Sequence, residues 1–173
     1  MGADKALLVV EGRPLARRTA DVLHDAGAAE VLVVGGDAEA LSALGLVVVA
    51  DRHPGDGPLG GLVTALEAAT EEVVAVLACD LPHAVPAGVA AVVAALTSDE
   101  RAAWASPVSQ GRRQFLHAAY RRSRRAHWAE AFAAGERSLR RPASQVAGVE
   151  VGDLEPAWLL DADTPEDLPP RGG

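Results

Sequence analysis

Three short segments are almost wholly apolar and rich in valine, with no polar alternation: "EVLVV" (Glu30 to Val34), "LVVVA" (Leu46 to Ala50) and "EVVAVLA" (Glu72 to Ala78). Uninterrupted apolar runs of this length predict strands covered on both faces, as in parallel sheets. "ALLVV", directly after Asp4 and Lys5, reads as another buried strand. Between the strands the apolar spacing turns helical. Leu15, Thr19, Val22, Leu23 and Ala26 mark one helix, with Pro14 suited to its first turn and Gly27 to its end. Val89, Val92, Val93 and Leu96 mark another, entered through Pro86. The alternation from Lys5 to about Leu96 predicts an α/β domain with right-handed crossovers.

The second half is less regular. "FLHAAY" (Phe115 to Tyr120) predicts a strand, "RRAHWAEAFAAG" a helix stopped by Gly135, and "VAGVEV" and "AWLLD" two short strands. Arg137 to Arg141 predicts the start of a further helix that Pro142 ends. No repeat or low-complexity linker divides the chain, so residues 1–173 are expected to form one domain.

Composition narrows the function. A chain of 173 residues that is 49% hydrophobic can bury a core without disulfides. The single Cys79 cannot form an internal disulfide, which predicts a reducing, cytoplasmic setting. No apolar stretch approaches the roughly 18 residues of a membrane span, so no membrane partner is expected. A net charge of −8 opposes contact with nucleic acid phosphates. An anionic substrate would therefore need local cations or a metal.

Three stretches can carry chemistry. In "VVAVLACDLPHAVP" a buried strand ends at Asp80, where open α/β sheets bind their ligands. A Mg²⁺ ion held by one or two carboxylates and substrate phosphates suits that position. The alternative is an aspartate in a turn or capping the next helix. In "LLDADTPEDL", Thr164 to Asp167 read as a helix start, which leaves Asp161 and Asp163 on one face of an extended segment, able to share a metal with a distant strand end. In "ADRHPGDGPLGGLVTAL", Asp51 ends a strand, and Gly60 and Gly61 open a helix whose N-terminus could take an anion or a polar ring.

Other residues point away from chemistry. His53 and His83 lack metal-ligand spacing and read as structural or solvent residues. Trp128 and Phe132 read as core packing, and "RRSRR" (Arg121 to Arg125) as a solvated face. A second reading of those arginines, with Arg112, Arg113 and Arg137, is neutralisation of a phosphorylated substrate. No Ser-His-Asp or Cys-His set suggests covalent catalysis.

Taken together, "MGADKALLVVEGRPL", "VVADRHPGDGPLGGL", "VLACDLPHAVP", "GERSLRR" and "DADTPEDL" resemble, in order and spacing, the molybdenum cofactor guanylyltransferases. The resemblance implies a Rossmann-like three-layer sandwich with a mostly parallel sheet, the nucleotidyltransferase fold. It also implies transfer of GMP from GTP to the phosphate of molybdenum-molybdopterin, with release of pyrophosphate. By the same resemblance Lys5 contacts the nucleotide, Asp51 belongs to the guanine nucleotide site, Asp80 binds Mg²⁺ and Asp163 stands near the metal. Molybdenum insertion and cofactor delivery proteins are the implied partners.

Family members begin with a strand and a loop resembling "LAGGxSxRMGxDK", and this chain enters at the "MG" of that motif. The resemblance thus implies a domain truncated at its N-terminus, without an inner strand and the phosphate-cradling loop. Phe115 stands where relatives often carry Pro. The open alternatives are a CTP-dependent or other small-molecule nucleotidyltransferase, and a non-catalytic relative that binds a nucleotide or a protein.

Overall fold

The computed structural model describes residues 5–152 and 154–160. In chain order the strands and helices are β1 (Val9–Val10), β2 (Arg13–Pro14), α1 (Leu15–Asp25), β3 (Leu32–Val34), α2 (Ala38–Ala43), β4 (Val47–Val49), α3 (Gly57–Ala68) and β5 (Val73–Leu77). There follow α4 (Pro86–Ser98), β6 (Trp104–Ser109), β7 (Arg112–Arg113), β8 (His117–Arg121), α5 (Arg125–Ala133), α6 (Arg140–Ala143) and β9 (Gly148–Val151). Single 3₁₀ turns stand at Lys5–Leu7, Arg122–Arg124 and Pro156–Leu159.

The valine-rich runs become β3, β4 and β5 as predicted, and β3 and β4 pair in parallel, Leu32 opposite Val47. A larger sheet runs β5-β8-β6-β7, with β9 added to β6 in parallel and the other ladders antiparallel, so among the described residues the sheet is mixed rather than mostly parallel as expected. β3 and β5 are each paired along one edge only among the described residues, and no described ladder joins the two sheets. Period-2 alternation distributes the larger sheet's side chains to two helical layers. Val74, Val76, Ala118 and Tyr120 meet Leu59, Leu62 and Leu66 of α3 and Trp128 of α5. Val73 and Ala119, on the opposite face, meet Val92 and Leu96 of α4. A third cluster sets Ala16 and Ala20 of α1 and Leu41 of α2 against Val33 and Val48 of the smaller sheet.

Four local expectations are corrected. The run after Lys5 is not a buried strand: Lys5–Leu7 is a 3₁₀ turn, and Leu8 and Val9 are exposed beside a short hairpin with Glu11 and Gly12 at its tip. The glycine-rich helix opens at Gly57, with Pro58 in its first turn, so Gly60 and Gly61 lie inside it. Pro142 sits within α6, where the first turn tolerates a missing N–H. "AWLLD" gives a 3₁₀ turn at Pro156–Leu159, since Pro156 favours a turn start over a ladder that needs its N–H. Asp161 lies outside the described residues.

β8 meets α4 at both ends. At the helix's C-terminal end the Arg121 guanidinium donates to the carbonyls of Leu96, Asp99 and Ala102 at 2.8, 3.0 and 2.9 Å, satisfying acceptors that the helix leaves open. At the N-terminal end lies His117, whose ring is buried. Burial pushes its imidazole down to about 4, a backbone interaction with Gly88 opposing only part of the shift.

Two outcomes follow from this pairing. Arg121→Met should destabilise the fold by about 2–3 kcal/mol in urea unfolding, since it orphans carbonyls that a charged donor serves. His117 is protonated in the unfolded chain below its ordinary value of 6.5 but stays neutral in the fold to about 4. The unfolded state therefore binds the extra proton in that window. The stability tied to neutral His117 is complete above about pH 6.5 and is lost as pH falls toward 4, on the order of 3 kcal/mol. Unfolding curves for wild type and His117→Phe between pH 7 and 4 should converge by that amount.

Candidate active site

The last rung of the β5–β8 region is the Ala78 N–H donating to the Leu116 carbonyl at 2.8 Å. Beyond it the chain leaves the sheet through Cys79 and Asp80. The Asp80 carboxylate is half-buried and has no hydrogen bond or ion pair among the described residues. It does not cap the next helix, because Val85 is the N-cap of α4. Asp80 stands in a turn just beyond the carboxyl end of β5, so the turn alternative and the predicted strand-end position both hold, whereas the capping alternative does not.

Lys5 is exposed in the first 3₁₀ turn. Its neighbour Ala6 is buried in the cluster that Val33, Val48 and Cys79 also join. That one apolar cluster ties the turn of Lys5, the strands leading to Gly35 and Asp51, and the exit from β5 to Asp80.

Asp51 follows β4 and is anchored on one oxygen. Its Oδ1 accepts the His53 N–H at 2.9 Å and the Thr64 hydroxyl of α3 at 3.3 Å. Its other oxygen faces Gly35, where an added Cβ would meet the Asp51 Cβ at 3.3 Å and Oδ2 at 4.0 Å. The loops after β3 and β4 therefore meet at this carboxylate, and Asp37 caps α2 by accepting the Ala40 N–H at 3.0 Å. Asp163, together with Thr164 to Asp167, lies outside the described residues. Among the described residues no group of three His, Cys, Asp or Glu side chains gathers to hold a metal.

The "GDGPLGG" and "GERSLRR" stretches dock on each other, a contact that sequence reading missed. The ring of His53 lies 4.3 Å from that of Phe132, and the Arg137 guanidinium stands 4.2 Å from the centre of the Phe132 ring. Gly60 permits the approach, since a Cβ there would come within 2.8 Å of the His53 Cβ. The Leu59 N–H donates to the Arg137 carbonyl at 3.2 Å, and Arg137 Nε lies 3.5 Å from Asp56. The backbone N–H groups of Ser138 and Arg137 hold the Glu136 carboxyl below its ordinary value and so fix the loop. His53 is structural, as expected. Phe132 is only half-buried, at the edge of the core, whereas Trp128 is fully buried.

The remaining cations are partly engaged. Arg113 pairs with Glu150 at 2.7 Å and lies over Trp104, and Arg121 serves α4, which corrects its reading as a solvated residue. Arg18 of α1 pairs with Glu11 at 2.7 Å and reaches the Pro82 carbonyl at 3.4 Å, steadying the loop after Asp80. His83 is exposed. Phe115 is buried edge-on against Trp104 at 5.3 Å, so it fills the core.

The family described as the MobA-like NTP transferase domain matches residues 1–149. A curated protein of Chloroflexus aggregans, named probable molybdenum cofactor guanylyltransferase, is 35% identical over 96% of this chain and 85% of its own length. The crystal structure of molybdopterin-guanine dinucleotide biosynthesis protein A from Archaeoglobus fulgidus aligns with a TM-score of 0.75 and 22% identity, covering 96% of this chain and 87% of the other. The 2-C-methyl-D-erythritol 4-phosphate cytidylyltransferase of Thermus thermophilus aligns with a TM-score of 0.73 and 24% identity, covering 94% and 89%. These two structures share the fold, which is the nucleotidyltransferase architecture expected from the sequence. With a matching family domain over most of its length, this chain belongs to the MobA-like NTP transferase family.

Proposed function

We propose that the chain is a molybdenum cofactor guanylyltransferase, which joins GMP from GTP to the phosphate of molybdenum-molybdopterin and releases pyrophosphate. The observation that carries the reading is the apolar cluster of Ala6, Val33, Val48 and Cys79, which gathers the approaches to Lys5, Asp51 and Asp80 in a chain of this family. Phosphoryl chemistry of this kind needs positioned charge rather than a protein nucleophile.

Each residue has a task in that reading. Asp51 is held by Thr64 and His53 through one oxygen, so its other oxygen keeps a fixed direction toward the loop after β3. A carboxylate there accepts from the paired N–H donors on a guanine edge, which cytosine does not offer in the same arrangement. Lys5 contacts the nucleotide and offsets charge on its phosphates.

The unpartnered oxygens of Asp80 suit a hard divalent cation such as Mg²⁺, with Asp163 as the further carboxylate near it. That ion would supply neutralisation of charge on the α-phosphate. The reading carries with it a cytoplasmic reaction and exchange of the pterin with molybdenum insertion and cofactor delivery proteins.

Calorimetric titration with Mg·GTP and Mg·CTP, beside an assay of pyrophosphate release with molybdopterin, tests this directly. GTP should bind and CTP should not. Asp80→Asn should lower turnover by about 100-fold or more while leaving the urea midpoint in place. Asp51→Asn should narrow the preference for GTP over CTP by about tenfold, because the amide keeps an acceptor for Thr64 but loses the carboxylate's charge. Binding of neither nucleotide by the wild type would overturn the reading.

A further inference from the structure

His117 has no task in the reaction as described, yet its position is costly. Its imidazole is 2% exposed, and among the described residues neither ring nitrogen makes a well-formed hydrogen bond, the backbone of Gly88 offering only a weak interaction. A neutral imidazole carries one N–H donor and one lone pair, and burying both unpaired is uncommon in folded proteins. The ring lies under the first turn of α4: a Cβ added to Gly88 would meet its Cε1 and Nε2 at 3.1 Å. Gly88 is the third residue of a 13-residue helix.

The same turn is open in a second way. Among the described residues no side chain caps α4, Pro86 at its start has no N–H, and Ala87 is exposed. The positive end of the helix dipole is therefore unneutralised, at the end of the short loop that begins with Asp80. The half-buried Trp158 rests on the same Gly88, 3.4 Å from the position of an added Cβ. An uncapped helix N-terminus with a buried, unpaired donor beneath it is chemistry that suits an anion.

We propose that the N-terminus of α4 and His117 form the subsite that receives the phosphate of the acceptor. The Ala87 N–H and the imidazole N–H donate to phosphate oxygens, and Trp158 turns aside from Gly88 as the group enters. The ligand class is a phosphate monoester. The proposal rests on the guanylyltransferase reading for the acceptor's identity, though not for the existence of the subsite. The subsite holds two oxygens of the acceptor's phosphate and leaves a third free to attack the α-phosphorus of GTP, the bond to pyrophosphate breaking as the new P–O bond forms.

The test uses the full chain and inorganic phosphate as the probe. Imidazole signals followed by NMR should show His117 shifting as phosphate is added at low ionic strength. Tryptophan emission should change too, because Trp104 and Trp128 are buried while Trp158 is not. Ala87→Glu places a carboxylate where the helix dipole favours it, so the urea midpoint should hold or rise while the His117 response to phosphate is lost. In steady-state assays Ala87→Glu and His117→Phe should raise KM for the acceptor by about tenfold, with GTP affinity unchanged. A His117 signal indifferent to phosphate, or an acceptor KM unaltered in Ala87→Glu, would overturn the subsite. If wild type transfers no GMP, the guanylyltransferase reading falls, and the phosphate titration still decides the subsite.

Discussion

The hydrogen bond from the Ala78 N–H to the Leu116 carbonyl is the constraint on which the site depends. It ends the pairing of β5 with the β8 region, so it fixes where Asp80 leaves the sheet and in which direction. On the partner side it fixes the turn at Phe115 and Leu116, from which His117 emerges on the α4 face and Ala118 on the α3 face. The loop of residues 81–85 then has a set distance in which to reach α4. A one-residue slip would exchange the two faces of β8, carrying Tyr120 under α4 and Arg121 into the core beside Trp128. The apolar clusters on both faces therefore guard the position of a polar residue that touches neither.

A second constraint couples the halves of the chain. The column of His53, Phe132 and Arg137 fastens the glycine-rich loop after β4 to the turn after α5. Its single ion pair, Arg137 with Asp56 at 3.5 Å, is exposed, and such pairs contribute about 1 kcal/mol or less. The column matters for position more than for stability. By holding the His53 loop it holds the N–H that Asp51 accepts, and so orients a carboxylate more than 80 residues away from Arg137 in sequence.

The sequence made the first half of the fold legible because its strands are short valine runs and its helices carry strong punctuation. Pro14, Gly27 and Pro86 each stand where an element begins or ends. What failed had weaker local signals. The "ALLVV" stretch has strand composition, but two glycine-favouring turn positions at Glu11 and Gly12 fold it into a hairpin. β6 contains Pro107 and two serines, and takes its strand form from pairing with β8 and β9 rather than from its own propensity. At the site, Asp51 and Asp80 were legible because each closes an apolar run. His117 was not, since a histidine inside "FLHAAY" gives no sign that its ring lies beneath the start of another element. Thr64 was hidden for the same reason: its contact with Asp51 spans a loop whose path the sequence does not state.

Charge decides how an acidic protein can handle anionic substrates. The arginines of the second half look in sequence like a phosphate-binding group, but the fold spends several of them elsewhere. Arg121 closes the C-terminal end of α4, Arg113 faces Glu150 and Arg137 faces Asp56. An arginine already bonded to carbonyls or a carboxylate has few donors left for a phosphate and would have to break those bonds to turn. In the proposed reading, neutralisation near Asp80 falls to Lys5, to a divalent cation and to backbone dipoles, above all the start of α4. Backbone donors have an advantage that long side chains lack, because they are fixed before the substrate arrives and lose little entropy in meeting it. In that light Arg121 at one end of α4 and neutral His117 at the other are complementary. The first satisfies the helix's negative end with a permanent cation, and the second leaves its positive end available.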